Sequence, residues 1–134
     1  MIGAAASANS QRLLFKVDQS AEAYKNNKTG KFVDAEVNDT EATIFLQDNK
    51  VIVDGAVKAN YILNKKSVHS KITSNKISYK YSGRDENDGL ISFIYTVNLN
   101  SKEAIVEVQS NRSKNYYFGS YSSNELSASD SKVR

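Results

Sequence analysis

Gly89-Leu90-Ile91-Ser92-Phe93-Ile94-Tyr95-Thr96-Val97-Asn98-Leu99 leads into Asn100-Ser101-Lys102 and then Glu103-Ala104-Ile105-Val106-Glu107-Val108-Gln109. In the first run Ile91, Phe93, Tyr95, Val97 and Leu99 stand two apart, so an extended chain puts all five on one face. Asn100, Ser101 and Lys102 supply turn chemistry. Ala104, Val106 and Val108 then repeat the alternation in the opposite direction. The stretch predicts a long antiparallel β-hairpin with one apolar face.

Working outward, most of the chain reads the same way. Lys76 to Tyr81 sets Ile77, Tyr79 and Tyr81 against Lys76, Ser78 and Lys80. Ser67 to Ile72 is a weaker strand with Val68 and Ile72 inward. Val57, Ala59, Tyr61 and Leu63 alternate with Lys58, Asn60 and Ile62. Ala42, Ile44 and Leu46 precede Asp48-Asn49, and Lys50 to Val53 returns, which is a hairpin signal. Asp54-Gly55 turns again. Arg12 to Val17 carries Leu13, Phe15 and Val17 on one side, and Asp18-Gln19-Ser20 breaks it. A hairpin around residues 26–30 joins Ala21 to Tyr24 with a strand from Lys31 to Val37. Asn115 to Phe118 is a last aromatic strand.

That makes about ten short strands with frequent turn signals, the mark of an all-β sandwich or barrel. Short turns join neighbours, so the expected topology is an antiparallel meander. The expected shape is a closed or nearly closed barrel of the lipocalin-like kind, or a curled sheet or sandwich. Closure is favoured because an open sheet of that width leaves edges unprotected.

The chain has 134 residues, 40% hydrophobic and 25% charged, which suits one domain with a packed core. It has no Cys, so disulfides, thiolate metal sites and Cys nucleophiles are excluded. No run approaches the roughly 20 apolar residues of a membrane helix. Residues 1–11 are mostly small and carry no charged side chain, and Ala6-Ser7-Ala8 has the form that precedes signal-peptidase cleavage. They are read as a signal-peptide remnant or disordered leader, which makes the protein exported, either periplasmic or extracellular. Residues 12–119 form the β domain, and the Ser-rich stretch 120–134 is a flexible tail.

Several marks recur in a definite order. Tyr24, then Thr29-Gly30-Lys31-Phe32, opens the series. Ala42-Thr43-Ile44-Phe45-Leu46-Gln47-Asp48-Asn49-Lys50-Val51-Ile52-Val53-Asp54-Gly55 and Tyr61-Ile62-Leu63 follow. Tyr81, Asp85 and Gly89 lead into the long hairpin, and Tyr116-Tyr117-Phe118 closes. From Arg12 to Gly119 this order resembles small exported β-rich proteins of unknown function from Bacteroidetes bacteria. The resemblance implies export and a β fold, and carries no activity.

Catalytic chemistry finds little to use. His69 is the only histidine and falls on the polar side of its strand, so it is read as a solvated surface group. One imidazole does not make a metal centre. Asp85-Glu86-Asn87-Asp88-Gly89 fails the calcium-loop register, with Thr96 where the twelfth-position Glu belongs. It is read as a hairpin loop. Asp34 and Glu36 alternate with Val33, Ala35 and Val37, as solvent-facing acids do. The expected protein is therefore a non-enzymatic binding or envelope-accessory protein without a cofactor.

Two side-chain groups remain. Tyr61, Tyr79, Tyr81 and Tyr95 fall on the inner faces. They are core filler, or they line an interior that holds a small hydrophobic ligand, as in a lipocalin-like carrier. A filled interior would reject the carrier. The second group is basic. The net charge of +3 hides two regions of opposite sign. Residues 56–84 contain no acid, and residues 32–49 contain no Lys or Arg. Alternation puts Lys58, His69, Lys71, Lys76 and Lys80 outward on three successive strands. Strands lie about 4.8 Å apart, so these groups would share one face. That face is a solubilising surface, or an anion-binding patch for an acidic glycan, a lipid headgroup or a partner protein. No outward aromatic stands beside the lysines, which argues against nucleic acid.

Overall fold

A computed structural model describes residues 11–33 and 36–121. They form β1 (Arg12–Tyr24), β2 (Val37–Gln47), β3 (Lys50–Gly55), β4 (Ala59–Leu63), β5 (His69–Ile72), β6 (Lys76–Arg84), β7 (Leu90–Asn98), β8 (Glu103–Gln109) and β9 (Ser113–Ser120). One 3₁₀ turn, Lys65–Ser67, lies between β4 and β5. The protein is all-β and antiparallel, and one sheet holds the strands in the order β4-β3-β2-β1-β9-β8-β7-β6-β5.

The sheet is curled. β1 and β9, the two ends of the meander, pair from Lys16↔Ser120 to Tyr24↔Ser113. On the far side β4 meets β6 at Ile62↔Arg84 and Leu63↔Gly83. Every strand except β5 thus belongs to a ring, and β5 hangs on the first half of β6. Antiparallel alternation sorts the connections into two ends. The start of β1, the β2–β3 turn, the 3₁₀ turn, the β7–β8 turn and the end of β9 share one end. The β1–β2 connection and the β3–β4, β6–β7 and β8–β9 turns share the other.

The organising hairpin forms in the expected register. Ile91, Phe93, Val97, Ala104, Val106 and Val108 are buried, and Tyr95 packs against them. Leu99 falls in the turn and is partly exposed. The Asn98 side chain accepts from the Asn100 and Ser101 amides at 3.0 Å each, which fixes that turn. The predicted Asp85 loop also forms. The Asp85 carboxylate accepts from the Asn87 and Gly89 amides at 2.9 and 2.8 Å.

The first third of the chain departs from expectation. β1 does not stop at Asp18 but runs on to Tyr24, with bulges that leave Leu14 and Asp18 unpaired. A bulge absorbs an extra residue without ending the ladder, so polar residues there need not break a strand. Of the expected hairpin partner at residues 31–37, residues 34 and 35 lie outside the described residues, Phe32 joins β1 by an isolated bridge to Lys25, and β2 begins only at Val37. The described residues hold nine strands where about ten were expected. In the weak strand Ile72 is not inward. It is 73% exposed, and no residue of β5 is buried.

The leader expected at residues 1–11 lies outside the described residues except for Gln11, as does the tail beyond Tyr121. Ser120 still belongs to β9. Tyr121 joins the core cluster, and its hydroxyl donates to the Asn98 carbonyl at 3.2 Å.

The register has a direct consequence for stability. Val106→Ala removes buried methyls and should cost about 2 kcal/mol in denaturant unfolding. Leu90 is 71% exposed, so Leu90→Ala should stay within about 0.5 kcal/mol of wild type. The reverse ranking would mean the faces are interchanged.

Candidate functional site

The ring is filled at one end and hollow at the other. In the filled part Tyr61 reaches across from β4 to β9, where its hydroxyl meets that of Tyr117 at 3.0 Å. Ser20 and Thr40 share a hydrogen bond of 2.6 Å in the same interior. Burial pushes the phenols of Tyr61 and Tyr117 up, so both stay neutral and each satisfies the other.

The hollow part is a cavity of about 600 Å³ toward the end that carries the start of β1 and the 3₁₀ turn. Its walls are apolar, with Leu14, Leu46, Val51, Leu63, Ile77, Phe93 and Val97 contributed by six strands. Four phenols, Tyr79, Tyr81, Tyr95 and Tyr121, add hydroxyls to this lining, and Arg12 and Lys65 add positive charge. Volume and lining are those of a small-molecule site: mostly hydrophobic, with few polar groups.

Aromatic rings pack on one another around the cavity. Tyr95 stacks on Phe15 at 5.9 Å between centroids and on Tyr79 at 6.3 Å, and Tyr81 meets Phe93 edge-on at 6.3 Å. Burial pushes the Tyr95 and Tyr81 phenols up, neighbouring tyrosines add to this, and the Arg12 guanidinium pulls partly back.

Three of the four tyrosines read as interior lining, Tyr79, Tyr81 and Tyr95, therefore share the cavity. Tyr61 does not, because its ring and hydroxyl are committed to the filled core. Sequence reading missed Arg12. Strict alternation from Phe15 sends it outward. The bulge at Leu14 lets Arg12 and Phe15, three residues apart, both face the interior. Leu14 packs against the core beside Phe15, whereas Leu13, expected inward, lies outside the core cluster and only borders the cavity.

The basic group is only partly assembled. His69 and Lys80 are directly opposed across β5 and β6, Lys71 faces Ser78, and Lys76 continues the same outer face. Lys58 stands apart, at the β3–β4 end, ion-paired to Asp54 at 2.5 Å. Outward aromatics do occur: Tyr116 and Phe118 stack at 5.9 Å on β9, three strands from β6. They line a more open outer hollow beneath Phe32, whose ring carries the Lys114 ammonium at 4.7 Å. Among the described residues no three His, Cys, Asp or Glu side chains cluster as a metal site would require.

Compared with known proteins, the chain matches no protein-family model, no curated protein and no solved structure.

Alkaline titration should expose the buried phenols. The free tyrosine value is 10.0, and the folded values of Tyr61 and Tyr95 lie above it. A raised folded value means that this part of the stability is fully present below pH 10 and is lost as pH climbs beyond it. Phenolate absorbance should show a late fraction that appears only as circular dichroism reports unfolding. Smooth ionisation of every tyrosine in the folded protein would contradict the burial.

Proposed function

We propose that this protein is a non-enzymatic carrier that binds a small hydrophobic ligand in the interior of its curled sheet. The observation that carries the reading is the cavity of about 600 Å³. The interior is not filled by its own aromatic side chains. Tyr79, Tyr81 and Tyr95 stand at its wall with their hydroxyls available to orient a guest. A gap in the ring supplies a route inward. Beyond the two residue pairs that join β4 to β6, the rim is formed by the 3₁₀ turn and the wholly exposed β5. Such a segment opens locally at low cost. The resemblance to small exported β-rich Bacteroidetes proteins supports work outside the cytoplasm.

The test is binding of the uncharged fluorophore N-phenylnaphthylamine. Wild type should give saturable enhancement at one site per chain. Ile77→Trp, which fills the cavity from β6, should abolish it, while Leu90→Ala, which leaves the cavity lining untouched, should not. Absence of saturable binding to wild type would overturn the carrier reading.

A second reading rests on the outer basic face. His69, Lys71, Lys76 and Lys80 lie on it, and none takes part in an ion pair among the described residues. Such a face suits an acidic glycan, a lipid headgroup or an acidic partner. Changing Lys71, Lys76 and Lys80 together to Ser should advance elution from heparin along a salt gradient. Unchanged elution would remove the patch.

A further inference from the structure

The cavity is apolar over most of its wall but carries cationic groups at the end where a guest would enter. Lys65 has an ion-pair partner in Asp48, at 3.5 Å. Arg12 has none: the ion pairs among the described residues are Lys58–Asp54, Lys65–Asp48 and Arg84–Asp88. Arg12 pairs in register with Leu46, a cavity-lining residue, and is itself half-buried. A half-buried guanidinium beside apolar surface, with no carboxylate partner among the described residues, can take an anionic group of a guest as its partner. Tyr79, Tyr81 and Tyr95 place phenol donors on the same lining. The positive charge of Arg12 reaches two of them, because it pulls against the effect of burial on both Tyr81 and Tyr95.

Resting on the carrier reading, we propose that the ligand is a single-chain carboxylic acid of the fatty-acid type. Its alkyl chain lies among Leu14, Leu46, Val51 and Val97, and its carboxylate is held by Arg12 with a tyrosine hydroxyl. The planar guanidinium fork matches a carboxylate with two parallel N–H···O bonds, which a single ammonium does not reproduce. The neutral phenols donate to the same oxygens and add no competing charge. A chain of methylenes gains about 0.8 kcal/mol per buried group, so the apolar wall supplies the affinity and Arg12 supplies the choice of headgroup.

The experiment is displacement of N-phenylnaphthylamine by dodecanoate and, separately, by dodecanol, from wild type, Arg12→Gln and Arg12→Lys. Circular dichroism confirms that each variant is folded. Wild type should bind dodecanoate at least tenfold more tightly than dodecanol. Arg12→Gln should weaken dodecanoate by about tenfold to a hundredfold, the range of a charged hydrogen bond, and leave dodecanol unchanged. Arg12→Lys should restore only part of the loss. If dodecanoate and dodecanol bind alike and Arg12→Gln changes neither, the headgroup assignment is overturned and the carrier reading stands. Equal loss of both guests in a folded Arg12→Gln variant also overturns the assignment, since Arg12 would then shape the cavity rather than read charge. If neither guest nor the fluorophore binds wild type, the carrier reading itself fails.

Discussion

Closure of the sheet is the constraint on which the rest depends. A meander has two ends, and here they meet along the β1–β9 ladder, while the opposite seam is the short contact of β4 with β6. Both closures bring backbones closer than a side chain would allow. A Cβ at Gly119 would run into the Lys16 carbonyl and the Phe15 ring, and one at Gly83 would run into the Ile62 carbonyl. Glycine stands at each point because it has no Cβ. Closure reduces the exposed edges to β5 and the start of β4, which limits unwanted strand pairing. It also encloses an interior, without which there would be no cavity.

How that interior is used follows from where bulky side chains meet. Tyr61 and Tyr117 are long enough to touch across the ring, and their paired hydroxyls satisfy one another, so that part is solid. Toward the other end Tyr79 and Tyr95 stand side by side on the neighbouring strands β6 and β7, and Tyr95 also stacks across the interior on Phe15 of β1, three strands away. Beyond that stack no ring pair among the described residues bridges the lining, and the space stays open. The same residue type therefore serves as core in one half and as lining in the other.

The two bulges in β1 connect sequence to site. Each shifts the inward face by one residue, which is the minimum change that exchanges the two sides of a strand. The bulge at Leu14 brings Arg12 to the interior. The one at Asp18 brings Ser20 inward, to its hydrogen bond with Thr40. A strand with strict alternation would have an interior without Arg12, and its chemistry would be wholly neutral on that side.

By itself, the sequence determined the strands and their inner faces wherever alternation was unbroken. Ile91 to Val97, Ala104 to Val108 and Ile77 to Tyr81 are the cases in point, because period-two spacing and one buried face leave a single solution. It also determined the tight turns after Leu46 and Asn98 and the loop at Asp85, where local side-chain bonds decide the geometry. It did not determine β1. The polar run Asp18-Gln19-Ser20 looks like a break, and only the flanking ladders of β2 and β9 keep it extended. Nor did it separate Tyr61 from Tyr79, Tyr81 and Tyr95, which share a pattern but not a depth along the ring. Lys58 was likewise placed with the other lysines by alternation, and the β3–β4 turn carries it to the opposite end. Bulges, closure and depth along the ring all arise from pairing between residues far apart in the chain, so the tertiary structure alone decided that Arg12 joins Tyr79, Tyr81 and Tyr95 at the cavity and that Tyr61 does not.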